Sequence, residues 1–316
     1  MSSFEDSILD RIDRGGNPVD GHYYTTNEKF NTKVVQPWNK IRPKFTNFLP
    51  RVPEDNQGIT YSLAEQKKDL TLLENFEKSP DFVQERSEAA VGLEYVMMEG
   101  IHEYDWLGDA AHVTPTNKHD DYVNGLDLIV SVPHPHKENE YLRFGIDTTT
   151  SSEQWVIDKK LRRTIGQLKD NKLSTVKYFI SDESGEREAI SVPRFVVAVS
   201  AAEASNLQVR QAEKDKSLVN DDIQIELIEE LEEQAAFAVD QLLSQGDKSV
   251  KLETPLEVRR YLDDHLEVLE TSSVMMEYAA VLNYLGDLRQ QKTLGLKDTT
   301  HKGFISSSLY RLQEAV

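Results

Sequence analysis

The sequence predicts a mixed α/β fold, in which a sheet of four to five strands is flanked by helices and followed by a helical C-terminal extension. Three observations predict it. Residues from about Ser62 to Tyr104 carry helical spacing. The stretch from Gly125 to Ser200 alternates short β-branched runs with one amphipathic segment. After Ala201 helical periodicity returns and persists to about Gln291. The expected order is helix, strand, strand, helix, strand, strand, with helical additions on each side.

Residues 1–58 are broken by "RGGNPVDG", "QPWNKIRPKF" and "LPRVPEDNQG", which interrupt any period and predict an irregular N-terminal arm. The core is expected over 59–205, an acidic helical extension over 206–292, and a polar tail over 293–316. The first helix is "SLAEQKKDLTLLENFEKS". The second is "SPDFVQERSEAAVGLEYVMMEGIHEY", with Ser79-Pro80 as cap and first-turn proline. On a wheel of about 100° per residue, Val91, Tyr95, Met98 and Ile101 group together. Glu94 falls inside that apolar arc, whereas Glu88, Glu99 and Glu103 fall beside it. A carboxylate aimed at a core needs a partner.

Two strands follow, "GLDLIVSV" (125–132) and "YLRFGIDTTT" (141–150), joined across "PHPHKENE". A period of two places Asp127, Ile129 and Ser131 on one face of the first, with Leu126, Leu128 and Val130 on the other. It places Gly145, Asp147 and Thr149 on one face of the second, with Phe144, Ile146 and Thr148 opposite. Each strand thus carries one aspartate on its less apolar face. If the two strands are hairpin neighbours, the two carboxylates converge, at a cost that a cation or a shared proton relieves. The bland alternative is that Asp120, Asp121 and Asp127 are turn and strand-end residues around Asn124-Gly125, the dipeptide most favoured in tight hairpins, and that Asp147 leads into a helix cap.

The next helix spans about 152–170, where Ser151 and Gln154 have capping-box spacing. Ile157, Leu161, Thr164, Ile165 and Leu168 mark its inner face; Lys160 borders that arc and Lys159 points nearly opposite. "TVKYFI" and "SVPRFVVAVS" complete the strands, the second nearly all apolar over Phe195–Val199, as in a strand covered on both faces. In the extension, "DDIQIELIEELEE" keeps Ile223, Ile225, Leu227, Ile228 and Leu231 as an inner stripe, with a charged outer face that is either solvated or docks a protein partner.

Composition narrows the function classes. The 316 residues contain no cysteine, which excludes disulfides, thiol nucleophiles and cysteine-based zinc sites and fits a reducing cytoplasmic setting. The opening "MSSFEDSILDRIDRGG" has no basic start and apolar run, and no stretch approaches the roughly 18 apolar residues of a membrane span, so no membrane role is expected. A net charge of -19 argues against non-specific coating of nucleic acid. The charge is unevenly spread: Val156–Lys177 holds seven bases against two acids, whereas Ala201–Glu270 holds eighteen acids against seven bases. No G-x-G-x-x-G, P-loop or G-x-S-x-G context is present. His134 and His136 lie in a loop without a second ligand pair, and His102 reads as a packed or solvent-facing helix residue.

An acid on a leading helix, an aspartate on one strand, an acid two residues before a polar position on the next, and a lysine nearby resemble the PD-(D/E)XK nuclease superfamily. More narrowly, "DDYVNGLDLIV … FGIDTTTS … DKKLRRTI … VPRFVVAVS" is similar to a group of largely uncharacterised bacterial proteins with that core. The resemblance covers roughly Pro80–Ser200. It implies an αβββαβ restriction-endonuclease-like core that holds one or two Mg²⁺ (or Mn²⁺) ions and hydrolyses phosphodiesters in DNA or RNA. By position, Asp127 and Asp147 match the strand acids that bind metal, and Glu94 the helix acid that supports the metal or its water. Thr149 stands where an orthodox member has lysine. Some members move that lysine to the following helix, which implies Lys160, or else Lys159, as the residue stabilising the transition state. Arg162 and Arg163 would then steer the phosphate backbone. The alternative is a module of the same fold without turnover that contacts nucleic acid or a protein; Thr149 favours it.

Overall fold

The computed structural model describes residues 61–78, 88–134, 140–150, 154–180, 187–220, 222–246, 249–265 and 272–293. The expected arm at 1–58, the Ser79-Pro80 cap, the Ser151 cap, His136 and nearly all of the 293–316 tail lie outside them. Helix α1 (Leu63–Glu77) starts at a reciprocal capping box. The Ser62 N–H donates to Glu65 Oε2 at 2.9 Å and the Glu65 N–H to Ser62 Oγ at 3.3 Å. Helix α2 (Glu88–Glu103) follows. It buries Leu93 and Met97 as well as Tyr95, Met98 and Ile101, more of its circumference than one apolar arc predicts. The cause is a second helix on its far side: a Cβ at Gly92 would lie 2.3 Å from Gln208 Nε2.

The protein is mixed α/β, with one four-stranded mixed sheet and one two-stranded sheet among the described residues. Strands β1 (His112–Pro115), β2 (Leu128–Pro133) and β3 (Tyr141–Thr149) form an antiparallel meander. Helix α3 (Gln154–Lys169) leads to the hairpin of β4 (Ser174–Ile180) and β5 (Arg187–Val192), and the chain returns as β6 (Arg194–Ala198), parallel to β3. The expected single strand "SVPRFVVAVS" is therefore two. Pro193 has no N–H to give a ladder and marks the break, while its carbonyl accepts the Gly145 N–H at 2.8 Å. Strand β1, four residues ending in proline, carries too little pattern to be foreseen.

Helices α4 (Ala201–Ala212), α5 (Asp222–Gly246), α6 (Pro255–His265) and α7 (Ser273–Thr293) follow. One apolar cluster joins α2, the Leu128–Val130–Val132 and Phe144–Ile146 faces of the sheet, Phe195, Val197 and these helices. On the opposite sheet face, Leu126 and Ile129 pack on Val176, Phe179 and Val192 of the hairpin. Ile157 and Leu161 of α3 pack there on Val196 and Ala198. Among the described residues strand β6 is one of the two outer strands of the sheet, and α5 covers its edge. The Val196 N–H donates to Gln234 Oε1 at 2.9 Å and Gln234 Nε2 donates to the Val196 carbonyl at 2.6 Å, so one side-chain amide replaces a neighbouring strand. The inner stripe of α5 holds at Ile223, Leu227, Ile228 and Leu231, with Ile225 only partly buried. Its acidic side is not all solvated, since Glu230 and Glu232 are buried, Glu232 Oε2 lying 2.9 Å from Arg289 Nε of α7 as an ion pair. No described helix is long and apolar enough to cross a membrane.

Candidate functional site

The β3 alternation holds: Gly145, Asp147 and Thr149 share the face that α3 and the β4–β5 hairpin cover. The parallel register Gly145↔Arg194 and Asp147↔Val196 puts Arg194 on that same face. Asp147, 3% exposed, meets two cations there. Its Oδ1 accepts Lys160 Nζ from α3 and its Oδ2 accepts Arg194 Nη2. Lys160 Nζ also donates to the Thr148 carbonyl at 2.9 Å. Burial alone would push the Lys160 ammonium down, but the Asp147 and Asp127 carboxylates outweigh it and hold the group above the usual lysine range. Lys160 is the helix lysine that reaches the sheet; Lys159 is exposed.

Asp127 arrives differently from the simple alternation. It lies one residue before β2, and its N–H donates to the Ile146 carbonyl at 2.9 Å, a residue short of the ladder register. Leu126 accordingly packs with Ile129 and not with Leu128. The alternation slips at Asp127 as in a bulge, and the carboxylate turns to the strand end. There Oδ2 accepts the Thr148 N–H at 2.6 Å and Thr148 Oγ1 at 2.9 Å, taking the place of a ladder carbonyl. Both strand aspartates thus act on one ammonium, that of Lys160.

Asn124-Gly125 does not make a hairpin. It ends a wide helical turn, Asp120–Asn124, with Gly125 at φ 64°. Glycine is required twice, because a Cβ there would also stand 2.6 Å from Arg163 Nη1 and 3.1 Å from Arg194 Nη2. Both arginines bind carbonyls at the end of the turn: Arg163 Nη2 takes Val123 and Arg194 Nη1 takes Asn124 at 2.6 Å. Arg163 is exposed as a residue, but partial loss of solvent at its guanidinium, then the Arg194 charge, lowers its pKa.

The turn is held from its other end by Asp120, which is fully buried. Its carboxylate accepts Asn117 Nδ2 at 2.6 Å, Asn124 Nδ2 at 2.7 Å and the Lys177 and Tyr178 N–H groups of β4 at 2.8 and 2.9 Å. His119 lies between acids, Nδ1 at 3.6 Å from Asp120 and Nε2 at 3.5 Å from Asp69 of α1. Asp69 in turn takes Lys177 Nζ and, at 2.6 Å, the Tyr178 hydroxyl.

Of the remaining expected residues, Glu94 is buried on α2, Thr149 is buried at the end of β3, Arg162 is partly buried and Arg163 exposed on α3. Among the described residues no three histidines or acids form a group that could hold a metal ion, so Glu94 does not join the two aspartates in such a group. Arg194 was missed; its signal is a lone charge opening the apolar run "RFVVAV". Comparison of the chain with protein-family models, with curated proteins and with solved structures returns no match, and the site is read from its own geometry.

Proposed function

We propose that the chain is a Mg²⁺-dependent (or Mn²⁺-dependent) nuclease or related phosphodiesterase of the PD-(D/E)XK type. The carrying observation is that Lys160 reaches from the helix after β3 to Asp147, within the field of Asp127. That is the arrangement a displaced signature lysine needs when Thr149 fills its orthodox place. The order α2, β1, β2, β3, α3, β6 follows the αβββαβ plan, with the β4–β5 hairpin set in before the last strand.

The donors suit a hard cation, since the Asp127 and Asp147 carboxylates and the Thr148 carbonyl are all oxygen. When bound, such an ion supplies charge at the phosphoryl oxygen and an acidified water. The chain's own residues do the rest. Arg194 fixes one oxygen of Asp147, Thr148 fixes one oxygen of Asp127, and Lys160, kept charged by both acids, is available to stabilise negative charge on a phosphodiester.

One observation favours the second reading, a binding module without turnover: Lys160 and Arg194 already balance the two aspartates, leaving no excess negative charge that demands an ion. Incubation with labelled DNA and RNA in Mg²⁺, Mn²⁺ or EDTA separates the two. Metal-dependent cleavage that Asp147→Asn and Lys160→Ala abolish supports the enzyme. Binding without cleavage, indifferent to both substitutions, supports the module.

A further inference from the structure

On α3, the face turned away from Ile157, Leu161 and Leu168 carries Trp155, Lys159, Arg162, Gly166 and Lys169, each three or four residues from the next. The same helix supplies Lys160 to Asp147 from its edge. Trp155 is 53% exposed, the largest exposed side chain among the described residues, although an indole ordinarily contributes most when buried. Lys159 and Lys169 are exposed and Arg162 partly so. The helix as a whole holds five bases and one acid in a protein of net charge -19.

Gly166 is the independent sign. A glycine within a helix costs about 1 kcal/mol against alanine, a cost that close approach of another group to the backbone can offset. Gly92 and Gly100 on α2 show that internal use, with Gln208 and Trp106 pressed 2.3 and 2.4 Å from where a Cβ would be. At Gly166 a Cβ would meet nothing within 4 Å. Among the described residues no packing accounts for the missing side chain, and it bares the backbone in the middle of the basic face.

We infer that the outer face of α3 is a track for single-stranded nucleic acid, with Trp155 stacking on a base, Lys159, Arg162 and Lys169 pairing with phosphates, and Gly166 admitting the sugar-phosphate backbone. The inference rests on the nucleic-acid reading above and names the strand form that site takes. An indole needs an unpaired base for its full stacking contact, which selects single strands over duplex. From Trp155 to Lys169 the helix rises about 21 Å, the span of about six phosphates of a stacked strand. The charge of the face is opposite to that of the body, so the strand is drawn to this helix and to Lys160 beside it.

The test is binding of a fluorescent twelve-nucleotide oligothymidylate, and of a duplex of equal length, to the full chain in EDTA, where no metal-dependent cleavage intervenes. The single strand binds more tightly than the duplex. Trp155→Ala weakens it about tenfold while Trp155→Phe largely restores it. Gly166→Ala raises the thermal midpoint, as helix propensity requires, yet weakens binding several-fold. That opposite pair of effects is not expected of a glycine with only a structural role. Unchanged affinity in Trp155→Ala, unchanged affinity in Gly166→Ala, or equal binding of duplex overturns the track. Track binding without cleavage in Mg²⁺ or Mn²⁺ keeps this inference and overturns the nuclease. Cleavage without the Trp155 effect does the reverse.

Discussion

Arg194 and Asp147 sit on neighbouring parallel strands and bind each other where almost no solvent reaches, at 1% and 3% exposure. The pair is the junction of the site. Arg194 also holds the Asn124 carbonyl, and its own N–H donates to the Tyr278 hydroxyl of α7 at 3.1 Å. The turn and the sheet therefore meet at the guanidinium, and α7 joins them at the backbone of the same residue. Removing one partner of such a pair leaves a charge without its counter-charge, which is worse than having neither. Arg194→Met is expected to cost about 3–5 kcal/mol in urea denaturation. Adding Asp147→Asn to that variant should cost less than Asp147→Asn costs alone, and strict additivity would mean that the two residues are not coupled.

Asp120 is expected to be less replaceable by its isostere than any surface acid. Its two oxygens face four N–H donors, from Asn117, Asn124, Lys177 and Tyr178. Burial pushes its carboxyl up, but the His119 ring and the Lys177, Tyr178 and Asn124 donors outweigh that and hold it below the usual carboxylate range. Asp120→Asn would turn an NH₂ toward two of the donors and remove the charge. A loss of about 3 kcal/mol or more follows, read from the denaturation midpoint. A depressed carboxyl contributes stability above its unfolded value and loses it as pH falls through the folded one. The difference between wild type and Asp120→Asn should therefore shrink in acid.

Gly125→Ala combines backbone strain with collision. The left-handed conformation at φ 64° costs an alanine about 1 kcal/mol, and the methyl group must also push aside the tip of Arg163, 2.6 Å away, and crowd the buried Arg194 guanidinium at 3.1 Å. A destabilisation of about 2 kcal/mol or more is expected. Since the crowded Arg194 guanidinium is the one that holds Asp147, any cleavage activity should fall further than the loss of folded protein explains. Activity per folded molecule, with the folded fraction taken from circular dichroism, checks this.

Asp147 and Lys160 were legible because each depends on one local period, the two-residue alternation of a strand and the wheel of a helix. Asp127 was legible as a residue but not in its placement. The slip at Leu126 and Asp127 depends on the Thr148 N–H, 21 residues away, which no local period encodes. Asn124-Gly125 misled for a related reason: the dipeptide reports a left-handed backbone, and a helical turn uses that as readily as a hairpin. Arg194 lies 47 residues from its acid, and only the rule that a charge in an apolar strand needs a partner points to it. Likewise Glu230 and Glu232 read as an outer face because what meets each side lies far off in the chain, Arg289 of α7 at Glu232 and, through Gln234, strand β6 beside Glu230.

Glu230 gives the protein a pH dependence opposite to that of Asp120. Burial pushes its carboxyl up to about 7, with the Gln234 hydrogen bond opposing and the Glu233 charge adding. The folded state then holds a proton that the unfolded chain, near the ordinary value of 4.5, has released. Stability is fully present below the unfolded value and is lost as pH rises through the folded one, by about 3 kcal/mol in total. Glu232 and Asp240, raised first of all by burial, drift in the same sense, so the comparison must be with a single variant. Glu230→Gln keeps an oxygen for Gln234 Nε2, now 2.8 Å from Glu230 Oε1, and removes the titration. Between about pH 5 and about pH 8 the variant should lose markedly less stability than wild type, and the two should differ most at the alkaline end. Parallel profiles would mean that Glu230 is ionised in the folded protein throughout. Gln234 would then hold the β6 edge beside a buried negative charge, a costlier arrangement than the one its geometry implies.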